Sequence, residues 1–165
     1  MRKAFYILGL LALVSSSLFA QQKVEKLTFP LPAEYKFKVG SDQENAQTHF
    51  IEMIPQNETF DNWSIIFSST LAKGVKGLGM DKAVDYMYTT AKNTAIDPKL
   101  TIIEKNESGH WALFTIETAK YKVSPKPESQ LFYVIEGSSG LFINSIALKQ
   151  KKIPCRICNE MERDI

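Results

Sequence analysis

Apolar and polar positions change period several times along the chain, and each period predicts an element. Residues 1–20 begin Met-Arg-Lys, run almost wholly apolar from Ala4 to Val14, and end on Ser15-Ser16-Ser17-Leu18-Phe19-Ala20. Two cations, an apolar centre and a small-residue exit have the layout of a secretory signal peptide. The apolar run is shorter than the ~20 residues of a membrane-spanning helix. Residues 21–34 follow as an extended arm, where Pro30 and Pro32 each remove a backbone donor. Tyr35, Phe37 and Val39 then alternate with Lys36 and Lys38, which is the pattern of a half-buried strand. Residues 40–45 read as a polar turn. Strands are predicted at 47–54 and 63–69, separated by a polar loop over 55–62.

Between residues 81 and 96 the apolar step becomes three and four. Val84, Met87, Tyr88, Ala91 and Ala95 share one stripe, and Lys82, Asp85, Thr89 and Lys92 fall opposite it. Asp81 is the expected N-cap. Pro98 pushes Asp97 out of helical angles and ends the helix. Four more strands are predicted at 100–105, 110–118, 130–136 and 141–149, with turns at 106–109 and 137–140. Short turns make neighbouring strands antiparallel. A short helix is expected over 155–165, after Pro154. The fold class is therefore α+β: an antiparallel sheet of about six to seven strands, one long helix packed on it, and a short C-terminal helix. The organisation is a signal peptide (1–20), an N-terminal arm (21–34) and a single domain (35–165). At about 145 residues after the leader, the chain is long enough to bury roughly two-thirds of its unfolded surface without staples.

Composition narrows the function classes. Of 165 residues, 44% are apolar and 23% charged, which excludes a disordered chain. Two cysteines are too few for a disulfide-built scaffold. The chain carries 20 basic and 18 acidic residues, but Arg2 and Lys3 belong to the leader, which has no acids, so the mature chain has no net charge. A nucleic-acid binder needs a surplus of cations, so nucleic acid is not an expected partner. The brief leader points to a bacterial protein exported to the periplasm or beyond the cell, with no stable membrane span once the leader is removed.

Several motifs invite chemistry. Gly74-Val75-Lys76-Gly77-Leu78-Gly79 lies between a strand and a helix, where phosphate cradles occur. Its order is G-x-x-G-x-G, not G-x-G-x-x-G, and Met80-Asp81 stands where a P-loop has Lys and a hydroxyl. A connector is expected, with Lys73, Lys76 and Lys82 as the residual anion-binding alternative. Cys155-Arg156-Ile157-Cys158 is a C-x-x-C pair. Asn159 in place of His excludes haem attachment, and zinc would need two further ligands where only His49 and His110 exist. A disulfide and a redox-active dithiol both remain open for Cys155 and Cys158. No nucleophile accompanies His110, so no catalytic residue, metal or cofactor is assigned. Glu104, Glu117 and Glu136 are scattered on the predicted strands; a glycosidase would need two of them at a suitable separation. Aromatic side chains stand out instead. Trp63, His110, Trp111, Phe132, Tyr133 and Phe142 are the binding candidates. The last three lie on adjacent strands whose two faces one helix cannot both cover, so a partly exposed aromatic face is expected.

The run Glu58-Thr59-Phe60-Asp61-Asn62-Trp63-Ser64, followed by a helix and an antiparallel meander, resembles small exported bacterial proteins of uncharacterised families. The element order over about residues 27–165 also resembles the PsbP/Mog1-like α/β/α sandwich. The resemblance implies an accessory or binding role and transfers no active site. The expected function is thus an exported, non-catalytic binding or accessory protein for another protein or a small amphiphilic ligand. The alternative is a thiol–disulfide redox factor using Cys155 and Cys158.

Overall fold

β-Branched and aromatic residues at alternate positions build the sheet of the computed structural model, which describes residues 25, 31, 34–154 and 157–158. The elements in chain order are β1 (Phe37–Glu44), β2 (Thr48–Pro55), β3 (Ile65–Lys73), α1 (Met80–Thr94), β4 (Ala95–Ile96), β5 (Lys99–Asn106), β6 (Trp111–Thr118), β7 (Lys120–Tyr121), β8 (Glu128–Glu136) and β9 (Gly140–Leu148). Seven strands form one sheet in the order β1-β2-β3-β9-β8-β6-β5, and every neighbouring pair is antiparallel. The fold is thus α+β, with the strand number and antiparallel pairing expected. After two hairpins the chain crosses through α1 to the far edge, β5. It then meanders back through β6 and β8 until β9 closes against β3. The short strands β4 and β7 pair separately, Ala95 with Tyr121 and Ile96 with Lys120.

Local chemistry moved some boundaries. Residues 40–45 are mostly strand, because β1 continues to Glu44 across a bulge between Val39 and Ser41. An edge strand tolerates such polar residues and a bulge. The turn lies later, where the Asn45 side-chain oxygen accepts from the Gln47 and Thr48 amides, both at 2.8 Å. Helix α1 starts one residue early. Gly79, not Asp81, is its N-cap and makes no side-chain cap; Asp81 lies in the first turn and pairs with Lys105 on β5. The helix also ends two residues short of the expected Ile96: α1 stops at Thr94, Ala95–Ile96 become strand β4, and Asp97 before Pro98 takes a φ of 48°.

The two faces of the sheet carry different layers. Ala112, Phe114, Ile116, Phe132, Val134 and Leu141 face α1 and pack with its Met80, Ala83 and Val84. Phe114 and Phe132 stack there with centroids 5.1 Å apart. On the opposite face, Ile65, Phe67, Leu113, Leu131, Tyr133, Ile146 and Leu148 form a second cluster. Its cover comes from both ends of the chain, Leu31 and Tyr35 before the sheet and Ile153 and Ile157 after it. Asn144 is buried on this face, accepting from Ser69 Oγ at 2.8 Å and donating to the Tyr133 carbonyl at 3.2 Å. Glu25 anchors the arm to the β8–β9 turn. It accepts from the Ser139 amide at 2.9 Å and Ser138 Oγ at 3.0 Å, and the backbone donors of Ser139 and Ser138 hold its carboxyl below the usual range.

Among the described residues a single helical layer is present. The expected signal peptide lies outside the described residues, as does most of the expected C-terminal helix, of which only Ile157 and Cys158 are described.

Candidate functional site

Antiparallel pairing sends alternate side chains to opposite faces, and this scatters the candidates chosen from sequence. Phe132 is 7% exposed beneath α1, whereas Tyr133 (8%) and Phe142 (7%) are buried on the other face. The exposed aromatic face expected of these three is therefore not formed by them, because the chain ends supply the second cover. Trp111 is partly buried against Tyr133, with centroids 5.9 Å apart. Trp63 lies just before β3 beneath Lys149, whose Nζ stands 4.3 Å from the ring centroid. His110 sits exposed in the β5–β6 turn at a φ of 55°, and His49 pairs with Asp42 Oδ1 at 2.8 Å near the β1 edge.

The remaining motifs are engaged in structure. In the glycine loop, the Gly77 amide donates to Glu136 Oε2 at 2.7 Å, so a protein carboxylate sits where an anion would. Lys73 is committed to Glu44 and to the Asn45 carbonyl. The Glu117 carboxylate accepts from the Ile153 amide at 3.2 Å. Glu117 lies opposite Ser129, near one end of β8, and Glu136 ends that strand. At ~3.3 Å per residue the two are over 20 Å apart, beyond any glycosidase pairing. Cys158 is partly buried beside the second core cluster, and Cys155 lies outside the described residues. Among the described residues, no group of three or more His, Cys, Asp or Glu side chains is placed to hold a metal. No helix there is long and apolar enough to cross a membrane.

The structure assembles a different feature, a cleft of about 550 Å³ where α1 gives way to β4 and β5. Tyr88, Lys92, Ala95, Ile96, Asp97, Pro98, Lys99 and Lys122 line it. Asp97-Pro98 forces the chain out of the helix, and Ala95–Ile96 pair with β7 instead of extending α1. Tyr88 Oη donates to the Pro98 carbonyl at 3.1 Å and so fixes the wall between helix and turn. The Lys122 amide donates to Thr94 O and its Nζ to Asn93 O, both at 2.9 Å. These bonds satisfy carbonyls that a helix end otherwise leaves open. Lys92 Nζ stands 4.7 Å from the Tyr88 ring centroid.

Chemically, the cleft joins an apolar floor to a cationic rim. Ala95 and Pro98 are buried, Tyr88 and Ile96 add apolar surface, and three lysines and one acid, Asp97, complete the lining. No Ser, Cys or His lines it. Compared with known proteins, the chain matches no family model, no curated protein and no solved structure.

Proposed function

We propose that the protein is an exported, non-catalytic binding or accessory protein, periplasmic or extracellular in a bacterium, and that the cleft beside the end of α1 takes a small anionic amphiphile. The observation that carries this reading is the pairing of Lys92, Lys99 and Lys122 with the apolar surface of Tyr88, Ile96 and Pro98 in one concavity. A carboxylate or phosphate head meets the ammonium groups, and an alkyl or aryl portion covers the floor. The resemblance to accessory and binding proteins of the PsbP/Mog1-like group points the same way, as does the leader.

Titration with laurate, followed by backbone amide NMR, tests the reading. Saturable shifts are expected at residues 88–99 and 122. Lys99→Glu should weaken binding by about tenfold with the melting temperature unchanged, since reversing one rim charge changes a short-range ionic contact. Absence of saturable shifts in that segment, or equal affinity in Lys99→Glu, would overturn it.

A further inference from the structure

Lysines crowd one corner of the sheet. The end where β5 and β8 start and β6 and α1 finish carries Lys92, Lys99, Lys120, Lys122 and Lys126. At the opposite end of the sheet the charges are mixed and paired: Glu44 meets Lys73, and Asp81 and Glu107 meet Lys105. Between Lys122 and Lys126 lies Val123, 97% exposed. Its turn is held by hydrogen bonds: the Tyr121 amide to Ser124 O at 2.8 Å, and the Lys122 amide to the helix end at 2.9 Å. On the facing strand Ile96 is 38% exposed and pairs with Lys120. Asp97, Glu117 and Glu128 lie at the same end, Glu117 opposite Lys99, and Glu128 accepts from Gln130 Nε2 at 3.0 Å and from Tyr121 Oη.

We infer that this tip docks on an anionic lipid bilayer, with Val123 entering the headgroup layer and Lys120 and Lys126 meeting lipid phosphates. A single exposed valine is ordinary on a protein surface. Here it is held out in a hydrogen-bonded turn with Lys120, Lys122 and Lys126 close by in sequence. An apolar contact added to an electrostatic one is what peripheral association requires. The inference goes beyond the cleft reading, because Val123, Lys120 and Lys126 do not line the cleft.

Co-sedimentation of the processed, exported protein with vesicles tests it. Vesicles containing phosphatidylglycerol should bind at least about tenfold more tightly than pure phosphatidylcholine, and the binding should weaken steeply between 50 and 500 mM salt. The double variant Lys120→Glu/Lys126→Glu should lose about tenfold or more, and Val123→Ser about threefold, with melting temperatures retained. Equal binding to neutral and anionic vesicles, or no loss in either variant, would overturn the inference. Equally tight capture by soluble polyglutamate would overturn it too, and assign the tip to an acidic protein. Laurate binding at the cleft separates the two proposals: it should survive both tip variants, and its failure leaves the vesicle result to be read by itself.

Discussion

Gly140 shows how one backbone position holds the centre of the sheet. Its φ is 146°, and a Cβ there would run into the carbonyl oxygen of Ala72 and lie 2.9 Å from the Gly74 amide. Gly140→Ala should therefore cost about 3 kcal/mol or more, read as a fall in urea midpoint, because the clash is with the backbone of residues 72–74 and not with a side chain that can move. Gly77 also has a positive φ, 65°, but nothing lies within 4 Å of the added atom. Gly77→Ala should cost only about 1 kcal/mol, the strain of a left-handed conformation alone. Both glycines were legible as turn residues, but their different costs were not. The difference depends on Ala72, which β9 approaches only after the chain has crossed the sheet and returned.

Helix α1 was the most legible element. Its stripe needs only the 3.6-residue period, and Val84, Met87, Tyr88, Ala91 and Ala95 all lie buried or partly buried on one side. The β4–β7 ladder was not legible, since two-residue strands carry no period. Tyr121 sits in that ladder, and burial, with the Glu128 carboxylate beside it, pushes its phenol up to about 12. A phenol favoured neutral in the fold adds stability that is fully present below its unfolded value near 10. That stability is lost as pH rises through the folded value. Tyr121→Phe should thus flatten the fall in melting temperature between about pH 10 and 12, by an amount on the order of 1 kcal/mol once solvent screening of a half-buried ring is allowed for. An unchanged alkaline slope would show that the ladder does not hold the phenol as described. The cleft beside this ladder was hidden for a related reason. Lys92, Lys99 and Lys122 make no local motif, and Asp97-Pro98 signals a helix stop without indicating the concavity the stop creates.

For the molecule as a whole, the chain ends act as core. Ile153 and Ile157 are 7% and 2% exposed, packed on the face of the sheet that α1 leaves open. Ile157→Ala should cost about 2–4 kcal/mol in chemical denaturation, a core value, although the residue lies only eight positions from the C-terminus. A loss below about 0.5 kcal/mol would mean that the tail is surface. By itself the sequence determined the α+β class, the antiparallel meander, the helix and its buried stripe, because these follow from periods of two and 3.6 and from short turns. It also determined that positive and negative residues nearly cancel. Only the tertiary structure decided that both sheet faces are covered, that Phe132 and Tyr133 are buried on opposite faces, and that Lys92, Lys99 and Lys122 meet beside the end of α1. Periodicity acts within a few residues of chain. Burial and the grouping of lysines depend on distances between residues far apart in sequence, which exist only once the strands have paired.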